Sequence, residues 1–330
     1  MRHPYQPDEN DLADARRVAD FLRIPFHVID VAEPFERVVA YFIEDYLHAR
    51  TPNPCAVCNR AIKFGVLMDA ALETGATGFA TGHYARIPAS SDTHDGRATP
   101  AVYRAIDSTK DQSYVLFGIE RKRLADIRFP VGCFTKTEIR ELVATANLPL
   151  PPKRESQDVC FIPDGKHAEF VRNRRPGIDT AGHFVSTEGK ILAPHDGFER
   201  FTIGQRKGFG VGFGERIFVV RIDPETKNVT LGNRGDLVAR EVVAERFNWL
   251  SDPIRDPRSP VRAEVKIRYR TPARPATIDI CGEDRVHIRF DEPVEGVAPG
   301  QCAVLYDQER LLGGGFIAGT VREKESPDRA

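Results

Sequence analysis

The first 150 residues alternate between two periods of apolar positions. Leu12, Ala15, Val18, Ala19 and Leu22 recur at helical spacing, Pro25 stops that run, and Phe26-His27-Val28-Ile29-Asp30-Val31 follows as a short apolar stretch. The spacing predicts an amphipathic helix over 11–22 and a strand over 26–31. Phe35, Val38, Val39, Phe42, Ile43 and Tyr46 form a second helical stripe, closed by Thr51-Pro52-Asn53-Pro54, whose prolines cannot continue a helix. A loop is expected next, carrying Cys55-Ala56-Val57-Cys58-Asn59-Arg60. Beyond it Ile62, Val66, Leu67, Ala70 and Ala71 restore the helical period up to Gly75, a C-terminal stop. Residues 78–84 read as a short strand running into a Gly-His turn. Thr135 with Glu138 fits a capping box ahead of a helix faced by Ile139, Leu142, Val143 and Ala146. Helix alternating with short strand is the pattern of an α/β domain with a mostly parallel sheet.

After Leu150 the period changes to two. Pro149, Pro151 and Pro152 mark a linker, and residues 217–222 and 228–232 on either side of Asp223-Pro224 predict a hairpin. Val261, Ala263, Val265, Ile267 and Tyr269 alternate with Arg262, Glu264, Lys266, Arg268 and Arg270, the signature of a two-faced strand. Residues 286–290 and 303–306 continue the β pattern. Gly313-Gly314-Gly315 predicts a bulge or tight bend at a barrel rim. The expected organisation is an α/β domain over 1–160, a central β-rich domain over 161–238 and a C-terminal β-barrel over 239–330, with 323–330 as a frayed polar tail.

Composition narrows the class. With 41% hydrophobic and 29% charged residues in 330, the chain is globular and long enough for two or three cores, which excludes a disordered or fibrous protein. No apolar run is long enough for a membrane helix, and Met1-Arg2-His3-Pro4-Tyr5 lacks the apolar core of a signal peptide. A cytoplasmic protein with no membrane partner is expected. The 47 Lys plus Arg against 48 Asp plus Glu argue against a nucleic-acid partner only until the charges are located. Residues 1–50 hold six basic and ten acidic residues. Residues 251–274 hold seven basic ones (Arg255, Arg258, Arg262, Lys266, Arg268, Arg270, Arg274) and three acidic. With Tyr269 among them, that face suits phosphate contacts and base stacking, against the plainer reading of a solvated strand face. The run 201–214 mixes glycines, aromatics and basic residues. It does not match G-x-G-x-x-G and opens no helix, so a dinucleotide site is rejected in favour of an RNA-facing loop or a structural hairpin tip.

Six cysteines (Cys55, Cys58, Cys133, Cys160, Cys281, Cys302) are too few and too scattered for a disulfide framework. Cys55-x-x-Cys58 admits three readings. A structural zinc site needs four ligands, and no second C-x-x-C or H-x₃₋₅-H is present, so no metal site is expected. A redox pair has the same spacing. The third reading is a single nucleophile, Cys58, placed just before a helix whose N-terminal amides, with Arg60 and Lys63, would favour the thiolate. Cys160 is its natural partner, because it lies in the polar segment Glu155-Ser156-Gln157-Asp158-Val159-Cys160-Phe161-Ile162 beside Lys153 and Arg154. Cys133, Cys281 and Cys302 neighbour apolar residues and are expected as small core residues.

Five motifs occur in order: Thr51-Pro52-Asn53-Pro54-Cys55-x-x-Cys58-Asn59-x-x-Ile62-Lys63-Phe64, Ala80-Thr81-Gly82-His83-Tyr84, Lys110-Asp111-Gln112-Ser113-Tyr114, Ser156-x-x-x-Cys160-Phe161-Ile162 and Gly204-Gln205-Arg206-Lys207-Gly208. Together they resemble the tRNA-specific 2-thiouridylase family (MnmA/TrmU), over about residues 11–317. The resemblance implies an adenine-nucleotide α-hydrolase-like (Rossmann-like) parallel-sheet domain followed by two β-rich domains. It also implies a sulfurtransferase in which ATP with Mg²⁺ adenylates the C2 oxygen of uridine 34 in tRNAs for Lys, Glu and Gln, and a protein persulfide supplies sulfur. On that pattern Cys160 holds the persulfide and Cys58 is the nucleophile that helps release the sulfur and can close a disulfide with Cys160. Gly82 contacts ATP. Asn53, Pro54 and Cys55 meet the target base, while His83, Lys110, Asp111, Gln112, Arg268, Tyr269 and Gln301 contact tRNA. The implied partners are tRNA and a sulfur carrier or cysteine desulfurase that donates the persulfide.

Two departures stand out. Some members of the family carry an acidic residue where this chain has Cys55. The family also opens with a strand and a Ser-Gly-Gly-x-Asp-Ser loop whose amides cradle the ATP phosphates, and no Ser-Gly-Gly occurs in these 330 residues. The expectation is an N-terminally truncated nucleotide-binding domain. The alternatives are a tRNA-binding remnant without catalysis, or an iron–sulfur or redox protein built on Cys55, Cys58 and Cys160.

Overall fold

A computed structural model describes residues 1–5, 10–88, 100–150, 159–162, 165–210, 212, 216–251 and 260–321. Outside them lie Pro151 and Pro152 of the expected linker, the polar run 153–158, Val211, Phe213 and Gly214, the basic residues Arg255 and Arg258, and the tail 323–330. The contacts divide the chain into two compact units. One comprises Met1–Val39, Pro54–Lys166 and Glu309–Leu311, the other Ala40–Asn53, His167–Gln308 and Leu312–Ala330. Among the described residues no helix is long and apolar enough to cross a membrane.

Two helices precede the first cysteine motif. Helix α1 (Asn10–Leu22) and helix α2 (Ala32–Leu47) follow the two apolar stripes, and Phe35, Val38 and Val39 of α2 are buried in the first unit. The stretch 26–31, expected as a strand, forms only an isolated parallel bridge between Asp30 and Arg2. A β-strand exists only by pairing, and here the ladder stops at two bonds, Arg2 N to Ile29 O and Val31 N to Arg2 O. The predicted loop at Cys55 is likewise corrected. Helix α3 (Pro54–Cys58) runs straight into a π-helical stretch (Asn59–Val66) and then helix α4 (Leu67–Glu73). Pro54 explains the start, since a proline in the first helical position loses no hydrogen bond.

Strand β1 (Phe79–Ala80) is shorter than the expected 78–84, because the chain leaves its parallel partner β4 (Ile127–Arg128) after two residues. Strands β2 (Ala85–Arg86) and β3 (Tyr103–Arg104) pair antiparallel. Helix α5 (Lys136–Thr145) carries the predicted capping box: Thr135 Oγ1 accepts from Glu138 N, while the Glu138 carboxylate accepts from Thr135 N.

The second unit is β-rich. After helix α6 (His167–Arg174), strands β5 (Gly182–Val185), β6 (Ile191–His195), β7 (Phe218–Ile222) and β8 (Val229–Gly232) form a four-stranded sheet in the order β6-β5-β8-β7, and β7–β8 is the predicted hairpin. Phe184, Phe198, Phe201, Val219, Val229 and Leu231 are its core. Strands β9 (Val238–Trp249), β10 (Val261–Lys266), β11 (Arg274–Ile280), β12 (Val286–Glu295), β13 (Cys302–Asp307) and β14 (Arg310–Thr320) then form a ring of antiparallel neighbours closed by β13–β14. The fold is thus an α/β domain with a parallel pairing, followed by β-rich domains of which the last is a closed six-stranded barrel. Closure removes the exposed edges that an open sheet of this size would carry.

The glycine run does what its pattern predicts. The register of β14 against β9 shifts between Gly314 and Phe316, and a Cβ on Gly313 would sit 2.4 Å from the Asn248 carbonyl oxygen. Two expectations about the barrel change. Strand β10 ends at Lys266 instead of running on to Tyr269, because the chain bends there while Ile267 stays buried. Of the three cysteines expected in cores, Cys302 is buried, but Cys133 and Cys281 are exposed, since neither lies on an inward-facing position of a core strand.

Candidate active site

The first unit gathers thiols from two distant segments. Cys55 and Cys58 stand on α3, and Cys160 stands in the turn that Ile162 N closes on Val159 O. That turn is anchored by Phe161, which is buried with its ring edge-on to Phe35 at 5.6 Å, and Phe35 in turn stacks on His3 at 3.8 Å. The Cys58 thiol feels the fields of Lys63, Cys160 and Cys55, and the Cys160 thiol those of Cys55 and Lys63. All six cysteines are free. Among the described residues no group of three or more His, Cys, Asp or Glu side chains could hold a metal ion.

Burial dominates the acid–base state of these thiols. Cys58 is 9% exposed, and desolvation pushes its thiol up to about 11, with Lys63 pulling the other way. Cys160 and Cys55 reach solvent, yet the protein that crowds their remaining surface raises them too, again opposed by Lys63. The sequence reading had a helix N-terminus favouring the Cys58 thiolate. The helix begins four residues earlier, at Pro54, so the free amides of its first turn lie around Cys55, and the Cys58 N–H belongs to the helix interior. Arg60, also expected to help, packs its stem over Gly118 instead.

The loop after β1 faces the same helix. Gly82 is exposed, and a Cβ added there would meet nothing within 4 Å, so the backbone is open to close approach by a ligand. His83 is 7% exposed; its Nε2 lies 3.3 Å from Lys63 Nζ and its Nδ1 2.7 Å from Thr81 Oγ1. Burial and the Lys63 charge drive its pKa down to about 3, so the imidazole is neutral. The unfolded chain, with its histidine near 6.5, takes up a proton that the fold refuses. Stability should be held above about pH 6.5 and should fall below it, by about 2 kcal/mol at pH 5. Urea unfolding at pH 7 and pH 5 measures this loss. His3 and His195 are lowered by burial as well and act with the same sign, so the part that disappears in His83→Gln is the His83 share.

The remaining candidates divide between packing and exposure. The Asp111 carboxylate is buried and accepts from Ala105 N, Ser113 N and Ser113 Oγ, while Gln112 exchanges two hydrogen bonds with the Tyr84 backbone. Both hold the turn that displays the half-buried Lys110.

In the second unit Asn53 N donates to Tyr41 Oη at 3.3 Å, and Gln301 Nε2 donates to the carbonyls of Thr51 and Pro52. Tyr41 was not singled out in the sequence, since it lies outside the apolar stripe of α2. Burial beside Asp45 raises its phenol and keeps it protonated.

Among the described residues of the basic stretch, several cations are engaged within the protein. Arg262 is engaged by Asp291 and Thr277, and Lys266 lies over the Tyr269 ring at 5.5 Å. Arg268 Nη2 donates to Ile203 O and Gly296 O, bracing a turn of the middle sheet against the barrel, whereas Tyr269 is exposed. Arg268→Ala should therefore lower unfolding free energy by about 2 kcal/mol through two abandoned carbonyls, and Tyr269→Ala by much less. Denaturant titration of both variants distinguishes a bracing arginine from a purely ligand-facing one.

An α/β domain that carries Cys55, Cys58 and Cys160 is thus followed by a small sheet and a closed barrel. Family models match most of the chain: a tRNA methyl transferase HUP domain over residues 2–164, a tRNA methyl transferase PRC-barrel domain over 168–233 and an aminomethyltransferase beta-barrel domain over 239–317. Among curated proteins, the tRNA-specific 2-thiouridylase MnmA of Rhodopirellula baltica is 46% identical over 317 residues, 94% of this chain and 77% of that protein. Those of Syntrophotalea carbinolica and Carboxydothermus hydrogenoformans are 44% and 41% identical, over 93% and 92% of this chain and 85% and 82% of theirs. The chain belongs to the tRNA-specific 2-thiouridylase family.

Proposed function

We propose that this protein is a tRNA 2-thiouridylase that replaces the C2 oxygen of uridine 34, in tRNAs for Lys, Glu and Gln, with sulfur carried as a persulfide on Cys160. The observation that supports the reading is the placement of Cys58 on helix α3 and of Cys160 in a turn of the same compact unit, although about a hundred residues separate them in the chain. In the sulfur step Cys58 Sγ attacks Cys160 Sγ. An Sγ–Sγ bond forms, the bond from Cys160 to its outer sulfur breaks, and the electron pair leaves with that sulfur towards C2 of the uridine. The resulting disulfide must be reduced by a thiol reductant, and Cys160 reloaded by a protein persulfide donor, before another turnover.

ATP, when bound, supplies activation of the uridine oxygen. The open backbone at Gly82 fits a nucleotide, whereas the phosphate-cradling Ser-Gly-Gly loop is not among these residues. His83, neutral and buried, accepts from Lys63, and Asp111 and Gln112 shape the turn bearing Lys110. Exposed Tyr269 offers a stacking surface to tRNA.

The test is nucleoside mass spectrometry of tRNA incubated with the protein, ATP, Mg²⁺ and a persulfide donor. Formation of 2-thiouridine supports the reading. Salt-sensitive tRNA binding without thiolation would instead identify a binding remnant, and iron in anaerobically purified protein a cluster protein.

A further inference from the structure

The run at 201–214, mixed in glycines, aromatics and basic residues, builds a turn in the second unit that the sulfur chemistry does not use. Its described part is fastened at both ends in the core of the four-stranded sheet. Phe201 is buried, and Phe184 meets the rings of Phe201 and Phe209 edge-on at 5.0 and 5.6 Å. Between these anchors Gly204 N donates to Val219 O and Val219 N donates to Gln205 O, so the turn is tied to β7 by two backbone bonds.

One side chain closes the turn on itself. Gln205 Oε1 accepts from Thr202 N at 3.1 Å, and Gln205 Nε2 donates to Lys207 O at 2.9 Å. A side-chain amide has both an acceptor and a donor arm, and here the two arms join the residues before it to those after it. Gly204 and Gly208, at φ of +85° and +84°, supply the left-handed backbone that lets the chain reverse over so few residues. Arg268 Nη2 holds the Ile203 carbonyl at 2.9 Å.

The closed turn presents Arg206 and Lys207, adjacent and exposed. Other cations around the same sheet are neutralised: Arg172 by Glu199, Arg200 by Asp196, Arg221 by Asp223 and Lys227 by Asp179. Among the described residues no carboxylate pairs with Arg206 or Lys207. The described turn exposes no large apolar side chain, so a protein partner finds little to bury there. A single small anion on two exposed cations is screened by salt, whereas a polyanion gains by releasing condensed counter-ions. We propose that residues 202–208, preorganised by the Gln205 side chain, form a phosphate-binding turn through which Arg206 and Lys207 engage the backbone of tRNA. That the polyanion is RNA rests on the thiouridylase reading.

The test is binding of an unmodified transcript of the tRNA for Glu to the whole chain, followed by fluorescence anisotropy between about 50 and 300 mM KCl. Arg206→Ala combined with Lys207→Ala should flatten the dependence of log affinity on log salt by about 1.5, and weaken binding about tenfold near 0.1 M salt. Gln205→Ala keeps both charges but abandons the cross-link. It should weaken binding about threefold at an unchanged slope, because as many phosphates are neutralised in the complex while the turn must first be ordered. The charge variant alters only exposed side chains, and decides the proposal should Gln205→Ala unfold. Lys190→Ala, which removes an exposed cation between β5 and β6, is the control. A slope that changes no more per charge than in the control would overturn the proposal, as would unchanged affinity in folded Gln205→Ala or wild-type protein without salt-sensitive tRNA binding. Thiolation with an unflattened slope refutes the phosphate-binding turn and not the thiouridylase reading; a flattened slope without thiolation does the reverse.

Discussion

Cys160→Ser should abolish 2-thiouridine formation while leaving the fold and tRNA affinity intact. A hydroxyl replaces the thiol almost atom for atom, but oxygen can neither carry a transferable sulfur nor form a disulfide. The fold has little reason to respond. The side chain is exposed, and the turn is anchored by its buried neighbour Phe161 against Phe35. Cys58→Ser should be equally inactive but should fail at a different step. Cys160 would still accept sulfur from the donor, so mass spectrometry should find persulfide accumulating on Cys160 in the Cys58 variant and none in the Cys160 variant. Full activity in either one would dismiss the two-thiol relay. The raised Cys58 thiol adds a pH signature: the rate should climb through the neutral and mildly alkaline range as the thiolate fraction grows.

Gly132→Ala should be the most damaging single methyl in the first unit. A Cβ at that position would lie 1.6 Å from the Ala85 carbonyl oxygen and 2.5 Å from its carbon, so the two backbone segments must part. Gly132 O also accepts from Ile106 N, and the displacement strains that bond as well. The cost should be about 3 kcal/mol, the upper end of what overpacking exacts when no side chain can rotate away. Ala85 follows directly on His83 and Tyr84, so the shift should reach the loop that carries His83. The variant should unfold at lower denaturant. Wild-type stability would show that the segments can separate without loss.

Some of this was legible in the residues. The apolar stripes of α1 and α2, the capping box at Thr135, the β7–β8 hairpin and the bulge at the triple glycine each follow from local periodicity or local backbone demands, which act over a few residues. The five ordered motifs carried the resemblance to the thiouridylase family, to which the chain belongs. The misreadings share a different origin. The strand at 26–31 needed a partner ladder that forms only two bonds, and the thiolate at Cys58 needed a helix start that lies four residues upstream. The bonds from Arg268 to the carbonyls of Ile203 and Gly296 have no signal in the local sequence, because both acceptors lie far along the chain.

The sequence alone thus determined which segments could be helix or strand, which family the chain resembles, and where basic residues collect after residue 250. Tertiary structure decided how those groups behave. It set Cys160 in the same unit as Cys58, buried Cys58 so that desolvation outweighs the nearby charge, and placed a neutral His83 against Lys63. The reason is physical. Propensity and periodicity are summed over neighbours in the chain, whereas desolvation, charge pairing and close backbone approach depend on groups that only folding brings within a few ångströms.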